Sequence, residues 1–121
     1  MSEENFSALF ARLKALLTPY APSLKVIDDE PGKYHLETGY SEKWKKPLFF
    51  GSVVVQKNYV SYYLMPVYMY PDLLEGISPA LKKRMQGKSC FNFKQVDEAL
   101  MTELEALTRR SVARVQQEGL V

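Results

Sequence analysis

The sequence predicts an α+β fold in which an antiparallel sheet of about five strands carries the N- and C-terminal helices on one face. The prediction depends on two amphipathic stretches near the ends of the chain and a β-rich run between them. With 121 residues, the chain has the usual length of a single domain, which we expect to span residues 1–121.

The β-rich run extends from Pro47 to Pro66 and reads PLFFGSVVVQKNYVSYYLMP. Its Val, Phe and Tyr content predicts two strands, and Lys57-Asn58 is typical of a two-residue hairpin turn. This turn pairs Gln56 with Tyr59. Because alternate residues of a strand point to opposite sides, the register predicts which side chains share a face.

The two faces of this hairpin differ in polarity. The predicted core face is almost wholly apolar and carries Phe49, Gly51, Val53 and Val55 opposite Val60, Tyr62, Leu64 and Pro66. The other face mixes hydroxyls with aromatic rings and carries Phe50, Ser52, Val54 and Gln56 opposite Tyr59, Ser61, Tyr63 and Met65. This second face is either another buried layer or a surface for a ligand.

The residues before the hairpin predict a helix and two strands. Apolar residues recur at helical spacing from Phe6 to Leu17, and Pro19 ends this helix. A short strand at 24–28 leads into an acidic turn at 28–32, and a second strand at 33–38 completes a hairpin. Residues 39–46 are predicted to form a loop.

The residues after the hairpin predict two helices separated by a strand. Ser78 is the expected cap of a short basic helix that stops at Gly87. A strand at 89–93 then places Phe91 and Phe93 on one face and Cys90 and Asn92 on the other. Asp97 is the expected cap of the final helix, whose buried stripe is Leu100, Leu104, Leu107, Ser111 and Val115.

Composition argues against several classes of protein. Sixteen Lys and Arg against fourteen Asp and Glu leave a net charge of +2, too small a surplus to predict a nucleic-acid or membrane partner. The first residues, MSEENF, do not resemble a secretory signal, and a single cysteine agrees with a reducing compartment. We therefore expect a cytoplasmic protein.

Three small groups of residues have both a functional and a structural interpretation. Asp28, Asp29 and Glu30 are either ligands of a hard cation or a solvated turn. His35 and Glu37 share one face of a strand and are either an acid-base pair, two metal ligands or ordinary surface residues. Cys90 is either a reactive thiol or a small buried side chain, and the second interpretation is favoured because free cysteine is usually buried.

Basic residues concentrate in and after the short helix. Lys82, Lys83, Arg84 and Lys88 form the densest group, with Lys43, Lys45 and Lys46 farther away in sequence. Phosphate binding is one interpretation, but neither a glycine-rich phosphate loop nor an RNA-binding signature accompanies them. A solvated helix face is favoured.

Aromatic residues are the favoured candidates for a binding surface. The candidate set lies on or beside the less apolar sheet face and consists of Phe50, Tyr59, Tyr63, Met65, Trp44 and Tyr68. Rings with polar tips suit a protein partner, a small molecule or a second copy of the chain. Packing under a loop is the alternative. The leading prediction is a non-enzymatic binding protein without a cofactor.

Three segments resemble the YdhG-like family of small bacterial domains: ISPALKKRMQGKSCFNF from Ile77, KNYVSYYLMPVY from Lys57 and ELEALTRR from Glu103. The helix stop at Gly87, the strand SCFNF and the long final helix occur in the order found in that family. The family includes a frataxin-like iron chaperone, so the resemblance implies a helix-sheet-helix fold and delivery of ferrous iron. On this interpretation Fe²⁺ is bound weakly, and the corresponding carboxylates here are Glu3, Glu4, Asp28, Asp29 and Glu30.

Overall fold

The computed structural model describes residues 2–120 and the side chains of residues 6–120. In chain order the elements are α1 (Ser2–Leu17), a 3₁₀ helix (Thr18–Ser23), β1 (Lys25–Glu30), β2 (Lys33–Ser41), β3 (Lys46–Val55), β4 (Val60–Leu64), α2 (Met65–Met69), a 3₁₀ turn (Pro71–Leu74), α3 (Pro79–Lys82), β5 (Cys90–Phe93) and α4 (Glu98–Gln117). The five strands form one antiparallel sheet in the order β1-β2-β3-β4-β5. The predicted α+β fold is confirmed.

One face of the sheet is covered by α1 and α4. Leu9 and Leu13 of α1 and Leu104 of α4 are fully buried in the same core cluster as Tyr62 of β4. The Tyr62 hydroxyl also shares a hydrogen bond of 2.7 Å with the Thr108 hydroxyl of α4, which ties helix and sheet together. The predicted placement of both terminal helices on one face is therefore confirmed.

The central hairpin has the predicted turn and register. The Gln56 amide donates to the Tyr59 carbonyl over 2.8 Å, which closes the turn at Lys57 and Asn58. Val55 then pairs with Val60, and the same register continues along both strands. β4 ends at Leu64, so the predicted strand residues Met65 and Pro66 belong instead to α2.

A β-bulge in β3 reverses the predicted sides of two phenylalanines. Leu36 pairs with Gly51, but Glu37 pairs with Phe49, so Phe50 is an extra residue on β3. Phe50 is fully buried in the core, whereas Phe49 stacks with His35 on the opposite face. The predicted faces of Phe49 and Phe50 are therefore wrong, because strict alternation holds only along an uninterrupted strand.

The acidic residues of the first hairpin lie in a strand rather than in a turn. β1 extends to Glu30, which pairs directly with Lys33, so Pro31 and Gly32 alone form the turn. Gly32 has φ +83, the left-handed conformation that a type II turn requires after proline. The prediction of an acidic turn at 28–32 is therefore wrong. The predicted loop at 39–46 is also shorter, and covers 42–45, because β2 reaches Ser41.

The short basic helix ends earlier than predicted. Ser78 caps it as expected, since its hydroxyl accepts from the Leu81 amide over 3.1 Å, but α3 stops at Lys82 rather than at Gly87. Residues 84–86 instead extend the sheet beyond β5. The Asn92 amide donates to the Arg84 carbonyl and the Gln86 amide to the Cys90 carbonyl, each over 2.8 Å. This pairing competes with helical hydrogen bonds for the same backbone groups.

The final helix follows its predicted pattern. The Asp97 carboxylate accepts from the Leu100 amide over 3.2 Å and so caps α4. The predicted stripe is buried throughout: Leu100, Leu104, Leu107, Ser111 and Val115. Helical periodicity therefore identified the face of α4 that packs on the sheet.

Replacing Tyr62 by Phe tests the hydrogen bond between sheet and helix. We expect Tyr62→Phe to lower the free energy of unfolding by about 1 kcal/mol, because Thr108 retains a second hydrogen bond to the Leu104 carbonyl. Burial raises the pKa of Tyr62 far above its usual range, so its hydroxyl stays protonated. Urea denaturation measures the change. Tyr68→Phe, at an exposed tyrosine, is the control, and equal effects of the two variants would contradict the prediction.

Candidate binding surface

The strand register defines the face of the sheet opposite the helices. His35 of β2 pairs with Ser52 of β3, Ser52 pairs with Tyr63 of β4, and Tyr63 pairs with Cys90 of β5. Paired residues share a face, so these four side chains form one row across four strands. The neighbouring positions on the same face complete a surface that we call the open face: His35, Glu37, Phe49, Ser52, Val54, Ser61, Tyr63, Cys90 and Asn92.

Three aromatic rings occupy the middle of the open face. The centroids of His35 and Phe49 are 4.8 Å apart, and those of Phe49 and Tyr63 are 6.4 Å apart in an edge-on arrangement. Such tilted and edge-on contacts are favourable because the positive edge of one ring meets the negative face of another. All three side chains are half-buried. We call His35, Phe49 and Tyr63 the aromatic centre.

A set of small polar side chains lies between the aromatic centre and β5. The hydroxyl of Ser61 donates to Asn92 Oδ1 over 2.7 Å, and the thiol of Cys90 approaches the same oxygen at 3.3 Å. Burial raises the pKa of the Cys90 thiol, which therefore stays protonated near neutral pH. Partial burial likewise raises the pKa of Tyr63, and the adjacent Cys90 raises it further. This part of the face is uncharged.

The other side of the aromatic centre is charged. His35 Nε2 lies 3.7 Å from a Glu37 carboxylate oxygen, and Lys33 Nζ lies 3.6 Å from an oxygen of Asp28. These pairs are partly exposed and contribute little to stability. Among the described side chains, the charged partner of His35 is Glu37, and the hydroxyl of Ser61 bonds Asn92.

The predicted metal ligands do not converge. Asp28 lies on the open face beside Lys33, whereas Asp29 lies on the helix side and bonds Lys14 Nζ at 2.7 Å. Alternation along β1 separates neighbouring carboxylates in this way. In the part of the chain that the structure describes, no three His, Cys, Asp or Glu residues are grouped so as to hold a metal ion. The side chains of Glu3 and Glu4 lie outside the described residues.

The six residues of the predicted aromatic set do not form one cluster. Tyr63 belongs to the aromatic centre, whereas Phe50 lies in the core. Met65 is half-buried at the start of α2, and Trp44 is exposed in the turn between β2 and β3. Tyr68 is exposed on α2, and Lys88 Nζ lies 6.0 Å from its ring centroid. The sixth residue, Tyr59, lies at the central hairpin turn.

Two members of the aromatic centre were absent from the predicted aromatic set. Strict alternation along β3 predicts Phe49 in the core, and the bulge at Phe50 moves it to the open face. The sequence around His35 suggests acid-base or metal chemistry and carries no signal for ring stacking. The one local signal for the bulge is the Phe49-Phe50-Gly51 sequence, since glycine inside a strand often marks a bulge or a close backbone approach.

Comparison of the chain with protein-family models, with curated proteins and with solved structures found no match. The resemblance to the YdhG-like family therefore stays a prediction. Of the helices that the structure describes, none is both long enough and apolar enough to cross a membrane.

Proposed function

We propose that this chain is a non-enzymatic binding protein whose open face docks against a protein partner. The observation that carries the proposal is the position of the aromatic centre: α1 and α4 pack on the other side of the sheet, and the side chains of Phe49 and Tyr63 remain partly exposed. Aromatic side chains are enriched in the centres of protein interfaces, where they supply most of the binding energy.

The surroundings of the rings favour a protein over a small molecule. Ser52 lies in the same row and is only 4% exposed, so the space between the rings is filled. A small ligand usually requires a concave site, whereas a filled face with a charged border resembles the apolar centre and polar rim of an interface. Asp28, Lys33 and Glu37 supply that border. We place this activity in the cytoplasm, in keeping with the free, buried thiol of Cys90.

Site-specific photocrosslinking in cells tests the proposal. A benzophenone amino acid at position 49 is expected to produce one dominant protein adduct, because this position is central to the open face. The matched control carries the same group at position 109, on the exposed side of α4. The purified partner is then titrated with the unlabelled protein. Identical adducts at both positions, or none at position 49, would contradict the proposal.

The affinity of that partner for Phe49→Ala gives a quantitative check. We expect a loss of about tenfold or more, the usual effect of truncating a central aromatic contact. Arg109→Ala should leave the affinity unchanged. Sedimentation velocity at two concentrations distinguishes a second copy of the chain from a different protein: if the Phe49 adduct is the chain itself, the wild type dimerises and Phe49→Ala does not. If the partner bound Phe49→Ala with unaltered affinity, the open face would be excluded as the docking surface.

A further inference from the structure

A run of cations lies beside the open face at the edge of the sheet. Between positions 82 and 94 the chain has no Asp or Glu and carries Lys82, Lys83, Arg84, Lys88 and Lys94. Pairing of residues 84–86 with β5 places Arg84 opposite Asn92, two positions before Lys94, although ten positions separate Arg84 from Lys94 in sequence. Lys83, Arg84 and Lys94 border the same two cavities, and we call these three residues the cationic ridge.

Among the described residues, no cation of the cationic ridge forms an ion pair. The ion pairs in the described part of the chain use other cations, and none includes Lys83, Arg84 or Lys94. Asp97 is the carboxylate that borders one of the cavities, and it is engaged as the cap of α4 through the Leu100 amide. Three cations placed together without a carboxylate partner favour an anionic ligand.

The two cavities beside the ridge differ in lining. The larger, about 890 Å³, includes the apolar residues Pro79, Phe93 and Leu100 in its lining. The smaller, about 510 Å³, is lined by amide side chains and one ring: Asn58, Gln86, Asn92 and Tyr59. Both volumes are within the range of small-molecule sites. The smaller cavity therefore offers a stacking surface and hydrogen-bonding amides beside a source of positive charge.

We propose that the cationic ridge binds the phosphate groups of a nucleotide whose base lies in the smaller cavity against Tyr59. Lysine and arginine are the usual partners of phosphate, and the forked guanidinium of Arg84 suits two phosphate oxygens at once. Side-chain amides of Asn and Gln can pair with base edges, and a tyrosine ring can stack on a base. The inference concerns the border of the open face and does not depend on the proposed docking of a protein.

A free nucleotide is favoured over a nucleic acid strand. Sequence-independent binding of single strands uses a continuous basic groove with several rings, one for each successive base. Here Tyr59 is the one tyrosine that lines the two cavities beside the ridge. The other ring that lines these cavities, Phe93, is only 2% exposed and offers almost no surface to a second base. The site therefore fits one base and its phosphates.

Titration of ¹⁵N-labelled protein with ATP tests the inference. We expect saturable shifts of the amides of Asn58, Tyr59, Arg84, Asn92 and Lys94. Inorganic triphosphate should move the signals of Arg84 and Lys94 but not those of Asn58 and Tyr59, and adenosine should bind more weakly than ATP. Scattered shifts at lysines throughout the chain, or no saturable shift, would overturn the proposal.

Paired charge reversals distinguish a site from general attraction. The double variant Lys83→Glu/Lys94→Glu is expected to lose at least about tenfold in ATP affinity, since each lost charge-assisted hydrogen bond has an effect of that order. The control Lys43→Glu/Lys46→Glu makes the same change of net charge in and beside the turn between β2 and β3 and should retain the wild-type affinity. Equal losses in both variants would overturn the proposal.

Two further outcomes decide the chemical class of ligand. Tyr59→Ala should weaken ATP binding while leaving triphosphate binding unchanged, because only the base contacts the ring. Equal effects on ATP and triphosphate binding would show that the base does not bind against Tyr59. A single-stranded oligouridylate is the comparison ligand. If it binds more tightly than ATP and with a steeper dependence on salt, the ligand of this site is a nucleic acid and not a free nucleotide. Failure here leaves the photocrosslinking result at position 49 untouched.

Discussion

Phe50→Ala is expected to lower the free energy of unfolding by about 3–5 kcal/mol, the usual cost of removing a fully buried phenylalanine ring. Phe49→Ala, one position away, should lower it by about 1 kcal/mol or less, because the Phe49 ring lies on the open face and is half-exposed. Phe50 has no exposed surface and packs in the core cluster, so its removal leaves a cavity.

Urea denaturation of the two variants measures this difference, and each serves as the matched control for the other. The two substitutions remove the same atoms from adjacent residues, so the denatured states are nearly identical and the comparison isolates the folded environment. Strict alternation along β3 predicts the opposite order of stability. A larger loss for Phe49→Ala would therefore contradict the bulge, and with it the assignment of Phe49 to the aromatic centre.

The features that the sequence predicted correctly are set by local signals. The turn at Lys57-Asn58, the cap at Asp97 and the capping serine Ser78 each depend on residues within a few positions of one another. The alternation in β5 also held, with Phe91 buried against the helices and Asn92 on the open face. The turn, the two caps and β5 are each short enough for one sequence pattern to apply throughout.

The features that the sequence did not predict depend on partners distant in the chain. Gly51 is a local signal for a bulge in β3, but it does not determine that Phe50 is the residue skipped in the pairing with β2. The segment after Lys82 has helical propensity, but its Arg84 carbonyl and Gln86 amide find hydrogen bonds in β5 instead. Which hydrogen bonds form depends on β5 being in place, and the local sequence does not contain that information.

The candidate sites show the same division. Tyr63 could be assigned to an open face by period two alone, since its part of β4 follows the hairpin register without interruption. The contact of Phe49 with His35 required the bulge and the alignment of β2 with β3. Lys94 was missing from the predicted basic group because β5 separates it in sequence from Lys83. Only the folded chain places Lys83 and Lys94 beside the same cavities.

Gly51→Ala is expected to lower the free energy of unfolding by about 1–3 kcal/mol, the range for an added group in a tightly packed site. A Cβ at position 51 would lie 2.9 Å from the Tyr63 carbonyl oxygen, closer than such atoms normally approach. That oxygen belongs to the backbone of β4 and cannot rotate away. The Leu17 side chain, 3.5 Å from the same Cβ, would already be in van der Waals contact with it.

A second effect of Gly51→Ala acts in the opposite direction, so the sign of the change in the free energy of unfolding is informative. Alanine restricts the unfolded chain more than glycine does, which by itself would stabilise the protein by up to about 1 kcal/mol. The contact with Tyr63 should outweigh that gain, because relieving it requires β3 and β4 to separate where Gly51 pairs with Leu64. Urea denaturation gives the sign, and amide exchange at Leu64 locates the disturbance. A stabilised Gly51→Ala would mean that β4 shifts freely, and the aromatic centre that includes Tyr63 would then be less rigid than its packing indicates.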